Sequence, residues 1–499
     1  MAEDTEDLDQ ADPLISTGVP GLDDVLGGGL LPRRLYLIEG TPGAGKTTLA
    51  LQFLIEGAKH SESVLYVTLS ESGAELRSVA RSHGWSLKGI RMREMLPSHE
   101  SLQPDEQYTM FHPSEVELSE TTLKILADVE ALKPTRVVFD SLSELRLLAG
   151  NSLRYRRQIL ALKQFFSGRE CTVLLLDDMT ALEHDLQVQS IAHAVLRMEQ
   201  IHSDYGSARR RLLVLKYRGQ QYRGGYHDYK IVRGGLVVFP RLVAAEHLNS
   251  LVQTKLPSGI PALDDLLGGG VQKGTSSLLV GAPGTGKSTV AMQFAVTAAK
   301  RGERAALFLF DESINTLRTR CEGMGMTLQP YIDSGHLSIR QIDPGELSPG
   351  ELVNDMRIAV TEQHASVVVI DSLNGYLNAM PNERFLIVQL HELLTYLGQA
   401  GVATLLIGAQ HGLIGSNMQT PVDASYLADA VILLRYYEAN GEVKQAISVI
   451  KKRGGAHERT IRDFSMSASG LQVGLPLRQF RGILTGVPVV VDSPESKHS

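Results

Sequence analysis

The chain has 499 residues (54.4 kDa), 43% hydrophobic and 21% charged, with a formal net charge of −7 and a pI near 6.1. That length exceeds one ordinary core and predicts at least two globular domains. The acidic balance excludes a global positive field for nucleic acid or an anionic membrane, and two cysteines, Cys171 and Cys321, exclude a disulfide framework or a cysteine-rich zinc site and fit a reducing cytoplasm.

Residues 1–13, MAEDTEDLDQADP, read as a disordered acidic leader, without the basic-then-apolar order of a secretory signal; no apolar run in the chain approaches the ~20 residues of a membrane span. STGVPGLDDVLGGGL (16–30) follows and returns as PSGIPALDDLLGGGV (257–271). The interval between those stretches also separates Gly40 from Gly281, the first residues of GTPGAGKTT (40–48) and GAPGTGKST (281–289). A repeat this long is a duplicated domain rather than a solenoid. The expected division is a first domain over 14–245, a linker over 246–256, a second domain over 257–472 and a tail over 473–499.

In the first copy, LYLIEG (35–40) predicts a buried strand, and Leu49 and Phe53 recur at i and i+4 on the helix after the glycine loop. SLLVG (277–281), Val290 and Phe294 repeat the arrangement. The order strand, glycine loop, helix, strand, helix, strand predicts an α/β fold, a parallel sheet covered on both faces. Each copy is expected to close on an antiparallel hairpin; the clearer is VILLRYYEANGEVKQAISVIKKR, with its turn at Asn440-Gly441.

Each glycine loop fits GxxxxGK[ST], in which successive backbone N–H groups wrap the β-phosphate at the positive end of a helix. Gly40, Thr41, Gly43, Ala44 and Gly45 form the first predicted cradle and Gly281, Ala282, Gly284, Thr285 and Gly286 the second. Lys46 and Lys287 would reach the β- and γ-phosphates of ATP, Thr47 and Ser288 would ligate Mg2+, and Thr48 and Thr289 would lie beside the phosphates. Asp140 and Asp371 follow the apolar runs VVF and VVI and precede Ser-Leu, the place for a carboxylate that orients Mg2+ through its water shell; the plainer alternative is an aspartate capping the next helix. At the end of the strand after the loop helix stand Ser70-Glu71 and Asp311-Glu312. These are candidates for holding or deprotonating a nucleophile, with Glu312 also placed among the Mg2+ ligands; a solvated acidic turn is the alternative.

These motifs resemble the KaiC-type branch of the RecA-like ATPases. The likeness spans residues ~14–472 by pattern alone and includes both glycine loops, both Asp-Ser-Leu strand ends and Lys451-Lys452-Arg453-Gly454…His457…Ile461-Arg462. It implies two tandem RecA-like P-loop domains, a homohexamer of two stacked rings, and ATP at subunit interfaces. No arginine adjoins either glycine loop in the sequence, so a cation from a neighbouring subunit is expected: Lys216 and Arg218 at the first site, Lys451, Arg453 and His457 at the second. The plainer alternative is that these residues merely end edge strands.

In that family the second domain phosphorylates itself on an adjacent Ser-Thr pair. Here Ser425 matches the serine and Tyr426 replaces the threonine, so one-site autophosphorylation on Ser425 is the expectation, against an ordinary polar loop residue. Asp311-Glu312 stands where the family has Glu-Glu, and Ser70-Glu71 keeps one of the two. A signalling or timing regulator is the leading reading; a DNA-handling recombinase or helicase and a nucleotide-gated scaffold are the other two. The tail segment ILTGVPVVV (483–491) is either a strip for a signalling partner or a strand packed on the second domain.

Overall fold

The structure, a computed structural model, describes residues 13–95, 113–179, 186–202, 206–247, 254–343, 345–378, 386–410, 426–485 and 488–490. The chain divides into two units between Arg241 and Leu242. This division precedes the expected linker because Leu242 and Ala244 pack into the second unit's core.

The first unit holds nine strands: β1 (Leu35–Gly40), β2 (Val64–Thr68), β3 (Ile90–Glu94), β4 (Arg136–Asp140), β5 (Thr172–Asp178), β6 (Ala194–Ile201), β7 (Arg209–Tyr217), β8 (Tyr226–Val232) and β9 (Gly235–Phe239). Their order across the sheet is β3-β2-β4-β5-β1-β6-β7-β8-β9. The first six in that row run parallel. Strands β1, β2 and β4 are buried along their whole length, as expected of near-continuous apolar runs covered on both faces. One apolar layer contains Leu49, Phe53, Tyr66 and Leu196; the other contains Leu65, Phe139, Ile159 and Leu175. The predicted hairpin is longer than expected: β6 to β9 form a four-stranded antiparallel meander.

In the second unit a short ladder of β10 (Lys255–Leu256) and β11 (Val271–Gln272) precedes β12 (Ser276–Gly281), β13 (Arg304–Leu309), β14 (Leu337–Gln341), β15 (Ala365–Asp371), β16 (Ala403–Ala409), β17 (Ala430–Ala439), β18 (Glu442–Lys452), β19 (Arg462–Ser467) and β20 (Gly470–Pro476). The order β14-β13-β15-β16-β12-β17-β18-β19-β20 repeats the first sheet strand for strand. The duplication read from the glycine loops is therefore a duplication of topology. Asn440 and Gly441 take φ of 56° and 74° between β17 and β18, the left-handed pair that a two-residue hairpin turn requires.

Two short tail strands, β21 (Phe480–Arg481) and β22 (Val489–Val490), pair with each other. Buried Ile483 joins Tyr437, Ala439 and Ala446 of the second unit, with Phe480 packed beside them. Part of the tail thus lies on that domain, while Val489 and Val490 are exposed. Among the described residues no helix is long and apolar enough to cross a membrane.

Candidate functional site

In a parallel sheet the C-terminal ends of the strands share one edge, and in each unit the central strand, β1 or β12, delivers its glycine loop there. Gly43 and Gly284 both have φ of 79°. Gly45 and Gly286 cap the following helices, Lys46–Lys59 and Lys287–Lys300, with φ of 92° and 94°. A side chain is strained in that backbone region. This left-handed start aims the helix N–H groups into the loop and makes an anion cradle.

Within the cradles the lysines are buried. Lys46 Nζ donates to the carbonyls of Gly40 (2.9 Å) and Thr41 (3.1 Å) and lies 2.7 Å from Asp178 Oδ1. Lys287 Nζ donates to the Ala282 carbonyl at 2.7 Å. The register that sets Asp178 beside Gly40 sets Ala409 beside Gly281, so Lys287 lacks the matching carboxylate. Burial pushes its pKa down to about 8, against a smaller upward pull from Asp371.

Thr47 Oγ1 donates to Asp140 Oδ2 at 3.0 Å, and the Ser288 hydroxyl bonds Asp371. Burial raises the pKa of both aspartates, which a nearby divalent cation would offset. The loop hydroxyl beside a strand-end carboxylate fits Mg2+, which takes oxygen ligands and keeps much of its water. Thr47 and Ser288 would hold the ion, with Asp140 and Asp371 bonded to its water; it would neutralise phosphate charge. In the first unit the buried Tyr66 hydroxyl also donates to Asp140 Oδ2 (2.5 Å); the equivalent position, two residues before the level of the aspartate, is Leu307 in the second.

The acidic turns differ more than the sequence suggests. Thr68 Oγ1 holds the first turn by donating to the Glu71 carbonyl (2.7 Å) and accepting from the Glu71 N–H (2.9 Å). Among the described residues Glu71 Oε2 is buried with no hydrogen-bond partner; burial, then Asp140, Glu75 and Asp178, raise its pKa. In the second unit Ser372 Oγ donates to Asp311. Glu312 receives Arg320 Nε (3.1 Å) and Nη2 (2.7 Å) on its two oxygens, and Arg320 Nη1 donates to Thr289 Oγ1 at 2.9 Å.

Arg320 thus reaches the loop helix at Thr289 while its other two nitrogens pair with Glu312. It lies on the helix Ile314–Glu322. As placed, both Glu312 oxygens accept a hydrogen bond from Arg320. Thr48, at the position matching Thr289, is buried.

The hairpin cations stand elsewhere. Arg218 N donates to the His193 carbonyl, and His193 N donates to Leu35 O, so Arg218 lies level with the start of β1. Lys216 pairs with Val195, level with Leu37. In the second unit Arg453 N donates to Asp429 O, and Asp429 N to Ser276 O; Lys451 pairs with Val431, level with Leu278. At ~3.3 Å per residue both arginines are roughly 16 Å along the sheet from their own unit's loop. Their side chains rest on carbonyls: Arg218 on Ser190 (2.8 Å), Arg453 on Tyr426 (2.9 Å) and Lys451 on Ala428 (2.8 Å), with Lys216 on Gln189. His457 lies between β18 and β19, close to Gly268. Ser425 lies outside the described residues.

A family model described as "ATPase: KaiC" matches residues 15–243 and again 256–477. The chain belongs to the KaiC family. It is 28% identical over 489 residues to the circadian clock protein KaiC3 of Synechocystis sp., covering 96% of this chain and 95% of that protein. It is also 28% identical to the circadian clock oscillator proteins KaiC of Thermostichus vulcanus (96% and 93% covered) and of Acaryochloris marina (97% and 92%). Both loops, both strand-end aspartates and both Lys-x-Arg hairpins fall inside the matched ranges of this ATPase family.

Sequence reasoning missed Asp178, Tyr66 and Arg320. The apolar run TVLLLDD, ending on an acidic pair, was a usable signal for Asp178. Nothing in the spacing of Arg320 marks it.

Proposed function

We propose that the chain is a Mg2+-dependent ATPase and serine autokinase that works as a homohexamer of two stacked rings, with each nucleotide held between neighbouring subunits, in a cytoplasmic signalling or timing role. One observation carries the reading: the Lys-x-Arg pair of each unit sits at the sheet edge opposite its own glycine loop. That placement favours cations that act on a different subunit's phosphates. A guanidinium supplied in trans contributes ~10³–10⁵ in rate.

At the first site, Glu71 would orient the attacking water and receive its proton. The water oxygen bonds to the γ-phosphorus as the bridge to the β-phosphate breaks, releasing ADP and inorganic phosphate. At the second site Asp311 would take the proton of the Ser425 hydroxyl as its oxygen bonds the γ-phosphorus. Incubation with γ-labelled ATP and phosphopeptide mapping tests the kinase: label on Ser425 in the parent chain, and none in Lys287→Ala, is the expected outcome. Label persisting in Lys287→Ala rejects it.

A further inference from the structure

Between the two nucleotide sites, one helix position changes the chemistry open to the neighbouring glutamate. Ser72 and Ser313 cap equivalent helices, and the residue seven places later is Val79 in the first unit and Arg320 in the second. Val79 leaves Glu71 unpartnered at Oε2 among the described residues. Arg320 takes both oxygens of Glu312 and anchors the pair to Thr289 of the loop helix. A charge-assisted bidentate pair of this kind is short and directional.

We infer that Arg320 is a positioning residue that withdraws Glu312 from water activation, so that the second site spares its ATP from hydrolysis while the first, with valine at that position, spends it. The inference rests on the ATPase reading above and adds a division of labour to it. Hydrolysis needs a carboxylate with a free oxygen to line up water and take its proton. Glu71 Oε2 accepts no hydrogen bond among the described residues, whereas each Glu312 oxygen already accepts one from the Arg320 cation, which orients the carboxylate and weakens its pull on a water proton. Asp311, held by the Ser372 hydroxyl, is then the carboxylate left to the second site. The guanidinium also keeps a cation against Thr289 without aiming it at a phosphate, because two of its three nitrogens face Glu312.

The test uses full-length chains with one site disabled. In Lys46→Ala, where the second site alone binds ATP, adding Arg320→Val is expected to raise phosphate release on the order of tenfold, below the ~10²–10⁴ a fully positioned base supplies. Arg320→Lys, which keeps the charge but not the fork, is expected to give a smaller rise. In Lys287→Ala, adding Val79→Arg is expected to lower first-site release while binding of a fluorescent ATP analogue persists.

An unchanged or lower rate in Arg320→Val with ATP bound overturns the inference, since the arginine then acts on the phosphate or not at all. If Arg320→Val cannot bind the analogue, Arg320→Lys decides, and no rise there is equally fatal. Absence of phosphate release from the parent chain and from both single-site variants, with ATP bound, removes the hydrolysis reading and this inference with it.

Discussion

Two lysines with the same sequence surroundings have different partners because the strand beside each loop ends differently. Lys46 meets Asp178, whereas the residue in register with the second loop's Gly281 is Ala409. Lys287, pushed down to about 8 by burial from an ordinary value of about 10.5, is largely neutral between those two pH values in the free protein. Phosphate oxygens restore its charge. ATP binding to the second site is therefore expected to take up a proton near pH 8.5, and its affinity to fall as pH rises through that window. Calorimetry on Lys46→Ala in buffers of differing ionisation heat measures this; an observed heat independent of the buffer contradicts it. The sign for stability is opposite. Between about 8 and 10.5 the unfolded chain binds the extra proton, so rising pH stabilises the free second domain. At the first site Glu71, raised by burial, must be ionised to accept a proton. Its rate is expected to fall on acidification at a higher pH than an ordinary glutamate would give, and Glu71→Gln should remove most of the turnover.

At the level of elements, the second site is where the ends of β13 and β15 meet the helix Leu373–Asn378, and their approach depends on Gly375. A Cβ there would stand 2.5 Å from Phe310 Cβ and 2.8 Å from Asp311 Oδ1. Gly375→Ala is expected to displace Asp311, costing about 1–3 kcal/mol as overpacking does, and to reduce phosphoryl transfer by the second site with ATP binding nearly intact. Kinase assays beside analogue titrations check this, and equal loss of both would instead implicate the loop. The same elements explain what was legible in the sequence. The glycine loops, the strand-end aspartates and the Asn440-Gly441 turn are local patterns, each complete within a few residues. Asp178 and Tyr66 acquire their roles only through sheet order, which makes β5 the neighbour of β1 although most of the domain separates them in sequence, and Arg320 acquires its role through the helix that brings it to Thr289. The meander exceeded the expected hairpin because β8, β9, β19 and β20 mix buried and exposed positions and carry no single strong period.

For the whole molecule, the proposed arrangement carries one decisive consequence, a site divided between subunits. A head-to-tail interface closing into a ring would place one subunit's hairpin at the next one's loop, so that the loop and the cation of one functional seam would belong to different chains. A chain with Lys46→Ala has lost its first-domain acceptor but still offers Arg218; a chain with Arg218→Ala has the reverse. Each variant alone should retain second-site turnover only. Co-assembled in equal amounts, they should regain first-site activity at roughly one seam in four, where an intact loop faces an intact arginine, given random placement around a heterologous ring. The readout is phosphate release by the mixture above the mean of the two unmixed samples, with native mass spectrometry on the same material confirming mixed hexamers. A gain near that fraction is the signature of a cation donated across the seam. Mixed hexamers with no gain would place Arg218 outside the chemistry, and a fully active monomer would dispense with the seam altogether.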